Sequence, residues 1–285
     1  MAPTTIALAI PTTAAWVPAR ADSMERVRQS LGVRRNPEDD GFMSESPYGP
    51  DSYTEITERS SNKIWPRKMQ QWALDTKADW FLTLQDDTLH PPYFWKALRA
   101  MLPHIPPNQV LGLSSVHPMA PEIARQGHRW YRTQSWLVGW AYAMRREDLQ
   151  EFVSWTDARP KLVEACNEDD LLNRWIHASN RYTWHPVPTI VDHDTSIDSQ
   201  YNNDHHVHRR ASCTWRDFGE GSLTDTDFWL PSGEPRQLLV PAVNHCWFCM
   251  ERPGYAASHK TGAALCRKCL GEMVQQLIVG EMNGL

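Results

Sequence analysis

The sequence lacks long hydrophobic runs, and no stretch approaches the roughly 18 apolar residues that a membrane-spanning helix needs. The first ten residues carry no basic segment, and Pro11 interrupts their short apolar run, so they do not match a secretory signal. The net charge of −5 excludes a uniformly basic coat for nucleic acid, although it allows a local basic patch. We therefore expect a cytoplasmic protein without a membrane partner.

Cysteine is also scarce, with 6 residues among 285, and four of these form two close pairs. Without an export signal, metal-bound cysteines are favoured over disulfides. Cys246 and Cys249 form the first pair and Cys266 and Cys269 the second, with sixteen residues between the pairs. Four thiolates at this spacing suit a tetrahedral Zn²⁺ ion. We predict a small four-cysteine zinc unit over residues 244–285.

The role of this zinc unit is open between two interpretations. A tail too small to bury its own core gains stability from a structural metal. Alternatively, a zinc ribbon that carries Arg252, Lys260, Arg267 and Lys268 grips a partner such as nucleic acid. Because these four basic residues are nearly balanced by three acidic ones, the structural role is favoured.

The preceding domain, predicted over 1–243, alternates short apolar runs with helical patterns, which indicates an α/β fold with a parallel sheet. Strands are predicted at 4–10, 80–84, 110–116, 135–144 and 182–191. Helices are predicted at 20–32, 62–77, 93–102, 147–155 and 167–178. Asp22 or Ser23 is the expected N-cap of the first helix and Gly32 its end, whereas 117–133 is predicted as a loop.

One predicted strand, residues 80–84, runs directly into two adjacent carboxylates, Asp86 and Asp87. In open α/β sheets, ligands bind at the carboxyl ends of the strands. Two carboxylates at such a point repel each other, and a divalent cation relieves that repulsion. Carboxylate oxygens are hard ligands, so the expected ion is Mg²⁺ or Mn²⁺.

Two further segments carry residues that suit the same site. His193 follows another apolar run, between Asp192 and Asp194. Glu168 and Asp169 open a predicted helix, where acidic residues are also typical of helix capping. The three segments together indicate a metal-dependent active site more strongly than any one of them alone.

In this order, the motifs resemble those of GT-A fold glycosyltransferases, which use nucleotide-sugar donors such as UDP-sugars. The resemblance spans residues 4–196. Its main motif is the Gln85-Asp86-Asp87 segment, which is similar to the family's DxD motif. The other matching positions are Thr12 after the first strand, Asn62 and Lys68 before the DxD strand, the 139–144 segment, the Glu168-Asp169 helix, and His193 with Ser196. The resemblance implies a Rossmann-like, mixed and mainly parallel sheet flanked by helices, followed here by the zinc ribbon.

The resemblance also implies a role for each matching residue. Asp87 and His193 would hold Mn²⁺ or Mg²⁺, and Asp169, supported by Glu168, would take the proton from an acceptor hydroxyl, with inversion at the sugar carbon. The implied donor-binding residues are Thr12, Asn62, Lys68, Gln85, Asp86 and Gly139. Gln85 departs from the family, which usually has an acid there, so its contact with the ribose or the metal is in question.

Two alternatives remain open. A metal-dependent phosphoesterase would also use Asp and His ligands, which are dense at 192–194 and 204–208, although no strand-end motif of that class is present. A non-catalytic zinc-ribbon protein that binds nucleic acid would leave the acids of the main domain unexplained.

The acceptor is the least specified part of the hypothesis. Some bacteriophage members of this broad class glycosylate hydroxymethylated pyrimidines in DNA, and a small enzyme with a zinc tail resembles them, which implies the host cytoplasm if the protein is phage-encoded. The mixed basic and aromatic segment 205–216 suits phosphates and bases, and a duplex base would have to flip out to react. The resulting hypothesis is DNA modification at a 5-hydroxymethyl-pyrimidine.

Overall fold

The computed structural model describes residues 4–12, 17–35, 42–57, 65–117, 119–134, 141–196, 211–218, 223–231, 233 and 235–238, with the strand pairs 256–257 and 264–265. The chain forms two compact units, Met1–Leu238 and Leu239–Leu285. The four cysteines of the predicted zinc site lie outside the described residues, so the zinc unit stays a prediction. Among the helices of the described ranges, none has the length and apolar character required to cross a bilayer.

The elements alternate between strands and helices along most of the chain. The strands are β1 (Ile6–Thr12), β2 (Val33–Arg35), β3 (Phe42–Ser44), β4 (Ser52–Thr57), β5 (Trp80–Leu84), β6 (Thr88–Leu89), β7 (Val110–Gly112), β8 (Trp130–Thr133), β9 (Ala141–Arg145), β10 (Thr183–Pro186), β11 (Asp192–His193), β12 (Arg236–Gln237), β13 (Ala256–Ala257) and β14 (Ala264–Leu265). The α-helices are α1 (Pro18–Leu31), α2 (Trp65–Thr76), α3 (Phe94–Met101), α4 (Ala120–Arg125), α5 (Arg146–Asp157), α6 (Pro160–Ala165) and α7 (Glu168–Ala178). Short 3₁₀ helices cover Leu102–His104, Trp215–Asp217 and Thr226–Trp229.

Eight strands form one mixed sheet in the order β12-β8-β10-β7-β9-β5-β1-β4. Strands β4, β1 and β5 are parallel, and β7 is parallel to β10. Strand β9 lies between β5 and β7 and is antiparallel to both, and β8 is antiparallel to β10. The predicted α/β fold with a mixed, mainly parallel sheet flanked by helices is therefore confirmed.

Helices cover both faces of the sheet, because side chains alternate between the faces along each strand. Ile6, Leu8 and Ile10 of β1 pack on one face with residues of α1 and α3. Ala7 and Ala9 point to the other face and pack with residues of α2, α5 and α7. Strand β1 is buried along its whole length, as expected for a parallel strand covered on both sides.

Helix α1 begins earlier than predicted, at Pro18, with Val17 as its N-cap. Proline suits the first helical turn because its fixed φ matches the helix and its missing N–H is not needed there. Neither Asp22 nor Ser23 is therefore the N-cap. The predicted end is correct, because Gly32 terminates the helix in the left-handed conformation with φ of 60°.

The prediction of a continuous loop over 117–133 is wrong. This segment contains α4 and β8, and Pro121 lies at the start of the short helix. Strand β8 pairs with β10, and its residues Trp130, Tyr131 and Thr133 are of types enriched in strands, a signal that the loop prediction overlooked.

Gly112 of β7 lies directly beneath the buried ring of His185 on β10. A Cβ atom at position 112 would lie 2.2 Å from Cε1 and 2.5 Å from Nδ1 of His185, and Tyr131 stacks on that ring with centroids 4.9 Å apart. We expect Gly112→Ala to lower the free energy of unfolding by about 1–3 kcal/mol, measured by urea denaturation. If the clash is the cause, the loss in Gly112→Ala with His185→Ala will be smaller than the sum of the two single losses. Additive losses would contradict this explanation.

Candidate functional site

The carboxyl ends of β1 and β5 lie beside α1 and β11. Five side chains meet at this point in a cluster that we call the acidic corner: Thr12, Arg20, Asp86, Asp87 and His193. Thr12 ends β1, and the two aspartates follow β5. His193 arrives on β11, whose pairing with β6 sets His193 opposite Thr88. The backbone N–H of Asp194 donates to the carbonyl of Asp87 at 2.7 Å, which fixes the two segments together.

Asp86 is held from three sides. The Thr12 hydroxyl donates to its Oδ2 at 2.8 Å, and Nη1 of Arg20 donates to its Oδ1 at 2.6 Å. The Ser23 hydroxyl donates to its backbone carbonyl at 2.6 Å. Because both carboxylate oxygens accept hydrogen bonds from the protein, Asp86 has a fixed orientation and is a weak candidate for direct metal binding.

Asp87 is more open to a ligand. Its Oδ2 accepts from Nη1 of Arg20 at 2.5 Å and lies 3.0 Å from Nε2 of His193. Its Oδ1 is buried and has no hydrogen-bond partner among the described residues. Burial alone would raise the pKa of Asp87, but the hydrogen bond and charge of His193, with the charge of Arg20, lower it below its ordinary value. Asp87 is therefore an ionised carboxylate with one oxygen available.

These residues fit a Mn²⁺ or Mg²⁺ ion held by Asp87 and His193. In the described part of the chain, no three acidic, histidine or cysteine side chains converge into a complete metal site. Mg²⁺ commonly takes only one or two protein carboxylates and completes its shell with water and substrate phosphates. Asp87, with one oxygen unpartnered in the described residues, and the neighbouring imidazole of His193 would supply two protein ligands of such a shell.

Asp192 and Asp194 are engaged elsewhere. Oδ1 of Asp192 accepts from the backbone N–H groups of His193 at 2.9 Å and Ala211 at 3.1 Å. Asp194 pairs with Arg26 at 3.0 Å and accepts from Ser196. Both carboxylates therefore shape the segment that presents His193. The remaining ligands of the phosphoesterase alternative, at 204–208, lie outside the described residues.

A second carboxylate centre lies in the first turn of α7. The Tyr142 hydroxyl donates to Oε1 of Glu168 at 2.7 Å, and Nε2 of Gln70 lies 3.4 Å from the same atom. Burial raises the pKa of Glu168 to about 7, against the opposing effect of the Tyr142 hydrogen bond. Asn167 caps the helix by accepting from the N–H of Asp170 at 3.0 Å, so Glu168 is not needed as the cap.

A cavity of about 150 Å³ adjoins Glu168 between α2, α5, α6 and α7. Its lining residues are Pro66, Arg67, Gln70, Phe152, Thr156, Asp157, Val163, Cys166, Glu168 and Leu171. Arg67 and Asp157 form an ion pair whose side chains are 37% and 61% exposed. The cavity therefore combines apolar walls with one carboxyl that titrates near neutral pH.

The helices that hold the two centres pack on opposite faces of the sheet, but both centres lie near the carboxyl end of β5. Arg20 and Ser23 of the acidic corner are on α1, whose buried residues pack with Ile6, Leu8 and Ile10. Tyr142, the partner of Glu168, packs on the other face with residues of α2 and α7. Tyr142 is opposite Thr83 of β5, the strand that leads into the two aspartates.

The other predicted donor-binding residues are less well defined. Lys68 is exposed on α2. Gln85 is half-buried, and its carbonyl accepts from the N–H of Thr88 at 3.3 Å and from the Thr88 hydroxyl at 2.7 Å, which closes the turn after β5. Asn62 and Gly139 lie outside the described residues. Asp169 is half-buried beside Glu168, and its carbonyl accepts from Asn173 at 2.8 Å.

Sequence reasoning assigned no site role to Arg20, Ser23, Gln70 or Tyr142, which contact Asp86, Asp87 or Glu168. One signal for Arg20 was available, because a basic residue in the first turn of a helix opposes the helix dipole and needs a compensating acid. Gln70 and Tyr142 have ordinary positions in an amphipathic helix and a buried strand. Only the packing of α2 and α7 on β9 brings them to Glu168.

Comparison with known proteins gives limited similarity. No protein-family model matches the chain, and no curated protein matches it. Among solved structures, the chain is similar to the protein A197 from STIV, with a TM-score of 0.35 and 10% identity over 68% of this chain and 87% of that one. It is also similar to a glycosyltransferase involved in the glycosylation of the major capsid of PBCV-1, with a TM-score of 0.32 and 14% identity over 55% of this chain and 68% of that one. A third similar structure is a mannose-1-phosphate geranyltransferase from Thermus thermophilus, with a TM-score of 0.35 and 14% identity over 64% of this chain and 75% of that one.

Proposed function

We propose that the protein is a glycosyltransferase that moves a sugar from a nucleotide-sugar donor, such as a UDP-sugar, to an acceptor hydroxyl. The observation that carries this proposal is the contact between Asp87, at the end of β5, and His193, from a distant part of the chain, with one Asp87 oxygen unpartnered in the described residues. These are the two positions at which the motif resemblance implies metal ligands.

A diphosphate leaving group needs its charge neutralised, and the acidic corner is proposed as the place where this occurs. A Mn²⁺ or Mg²⁺ ion held by Asp87 and His193 would neutralise the charge that develops on the diphosphate. Asp86 keeps its orientation through Thr12, Arg20 and Ser23. Thr12, Lys68, Gln85, Asn62 and Gly139 are proposed as donor contacts on the motif resemblance alone.

The motif resemblance implies Asp169 as the residue that takes the proton from the acceptor hydroxyl, and we propose the neighbouring Glu168 as the stronger candidate, with Asp169 as the second. A general base is most effective when its pKa is close to the working pH, and the pKa of Glu168 is about 7. Tyr142 and Gln70 orient its carboxyl, and the adjoining cavity offers space beside it. A single displacement with this base inverts the configuration at the sugar carbon.

The acceptor is proposed to be a 5-hydroxymethyl-pyrimidine in DNA. The support is the basic and aromatic composition of 205–216, of which Arg216 lies 3.4 Å from Asp192 at the base of the segment that presents His193. A structural Zn²⁺ bound by Cys246, Cys249, Cys266 and Cys269 remains part of the proposal.

The proposed function is tested by incubating the protein with a panel of nucleotide sugars and measuring release of the nucleoside diphosphate by mass spectrometry. We expect turnover of at least one donor with Mn²⁺ or Mg²⁺, and its loss in EDTA. Asp87→Asn should reduce turnover about 100-fold, because a bound metal supplies several kcal/mol of charge stabilisation.

Asp75→Asn is the matched control, because Asp75 is exposed on α2 and away from the acidic corner. It should leave turnover unchanged. Absence of turnover with every donor, together with Asp87-dependent hydrolysis of a phosphoester, would replace sugar transfer by the phosphoesterase alternative. Glycosylation of hydroxymethylated DNA, compared with unmodified DNA of the same sequence, tests the acceptor separately.

A further inference from the structure

Arg20 is the cation at the centre of the acidic corner. It is 5% exposed, and a single nitrogen, Nη1, bonds both carboxylates, at 2.6 Å to Asp86 and 2.5 Å to Asp87. The formal charge of the three side chains is −1, because the guanidinium cancels one of the two aspartates. The protein therefore carries part of the charge compensation that a divalent ion would provide.

The position of Arg20 is unfavourable without these acids. It lies in the first turn of α1, where a positive charge opposes the helix dipole. Removing a guanidinium from water costs several kcal/mol unless the charge is paired. Burial alone would lower the pKa of Arg20, but Asp87 and Asp86 raise it, so the side chain stays charged. The two ion pairs are what make a buried cation stable at this point.

The two aspartates differ in what else they contact. Both oxygens of Asp86 accept hydrogen bonds, from Thr12 and Arg20. Asp87 shares its Oδ2 between Arg20 and His193, and its Oδ1 has no hydrogen-bond partner in the described residues. A divalent ion at Asp87 would therefore compete with the positive charge of Arg20 for that carboxylate. Asp86 can hold Arg20 in the site when the ion is bound.

We propose that Arg20 is a resident cation that holds Asp86 and Asp87 together when no metal is bound and weakens metal binding at Asp87. It is a positioning residue, since it acts through the two carboxylates. The inference rests on the metal site of the proposed function and not on the identity of the donor or acceptor. Its consequence is a protein that stays folded without metal and binds the ion weakly until a diphosphate adds further ligands.

The test uses Mn²⁺ alone, with the full chain and no donor. Mn²⁺ affinity is measured by isothermal titration calorimetry, and the melting temperature is measured in EDTA and in saturating Mn²⁺. Arg20→Gln should bind Mn²⁺ about tenfold more tightly or better, because a like charge a few ångströms away is removed. The same variant should melt at a lower temperature in EDTA, and Mn²⁺ should restore most of the loss.

Two control variants separate this effect from general damage. Arg28→Gln, on the same helix, loses a two-bond ion pair with Glu55 at 2.6 Å but leaves the acidic corner intact. Its melting temperature should fall equally with and without Mn²⁺, with Mn²⁺ affinity unchanged. Arg20→Lys keeps a positive charge and should resemble the native protein in both measurements.

The outcomes are decisive in each direction. An Arg20→Gln protein that folds only in Mn²⁺ supports the proposal as strongly as a melting temperature that Mn²⁺ restores. An Arg20→Gln protein that is equally unstable with and without Mn²⁺, or that binds Mn²⁺ no better than the native chain, overturns it. If the native chain and Arg20→Gln both fail to bind Mn²⁺, the resident-cation role is wrong, whereas turnover of the nucleotide-sugar panel decides separately whether the proposed sugar transfer survives.

Discussion

Glu168→Gln is expected to lower the rate of sugar transfer about 10² to 10⁴-fold, the usual contribution of a positioned general base. Glutamine has nearly the same shape and still accepts the hydrogen bond from Tyr142, but it cannot take a proton. Because the carboxyl of Glu168 is held by Tyr142 and Gln70 and not by residues of the acidic corner, the Kd of the donor should change little. Transfer is measured at saturating donor and acceptor, and donor binding is measured separately by calorimetry.

The pH dependence gives an independent test of the same role. The pKa of Glu168 is about 7, so the fraction of the ionised base, and with it the transfer rate, should rise as pH increases through about 7. Burial disfavours the ionised form in the folded protein, so this group's contribution to stability is complete below its unfolded pKa and is lost as pH rises through about 7. Glu168→Gln should remove both of these pH dependences.

Glu164→Gln on α6 is the matched control for this substitution, because Glu164 is exposed and four residues away along the chain. It should leave the rate and its pH profile unchanged. Asp169→Asn decides between the two neighbouring acids. A large loss in Asp169→Asn with a nearly native rate in Glu168→Gln would assign the proton transfer to Asp169 instead.

Arg181→Met is expected to lower the free energy of unfolding by about 3–5 kcal/mol, the cost of breaking a buried ion pair by removing one partner. Arg181 and Asp148 are 4% and 3% exposed, and Nη1 of Arg181 donates to Oδ1 of Asp148 at 2.5 Å. Burial raises the pKa of Asp148 and the arginine opposes that rise, so the variant leaves a buried carboxyl without its cation. Urea denaturation measures the loss.

Arg159→Met is the control for the aromatic contact of Arg181. Both arginines lie over a tryptophan ring at 4.4 Å, Arg181 over Trp175 and Arg159 over Trp155, but Arg159 is exposed. Arg159→Met should cost about 1 kcal/mol or less, as expected for an exposed cation–π pair. Equal losses in the two variants would show that the ring contact, and not the buried ion pair with Asp148, accounts for the effect.

The sequence pattern indicates that Asp87 and His193 belong to one site, and the structure places them in contact, but the pattern does not indicate the cation beside them. Asp86, Asp87 and His193 each follow an apolar run, but His193 lies on β11, which pairs antiparallel with β6 outside the eight-stranded sheet, so its contact with Asp87 depends on that pairing. Arg20 comes from a helix that begins at Pro18 and not at the predicted residue. Only the rotation of α1 on the sheet decides that Arg20 points to the two aspartates.

Glu168 shows a similar limit. The acidic run at 168–170 predicted a helix start correctly, but acids at a helix start usually compensate the dipole. Whether Glu168 only compensates the helix dipole or belongs to a site depends on its contacts with Tyr142 and Gln70, which come from two other elements. Segment 117–133 was mispredicted for a different reason, since the strand-forming residues Trp130, Tyr131 and Thr133 of β8 were assigned to a loop.

The pairing register of β5 and β9 determines how the molecule tolerates insertions and deletions. A slip of one residue between these strands would turn Tyr142 to the opposite face, away from Glu168, because side chains alternate along a strand. An insertion or deletion within β5 would also move Asp86 and Asp87 relative to Thr12 and His193. The two carboxylate centres therefore share the alignment of β5, and a change of length within this strand should disable both at once.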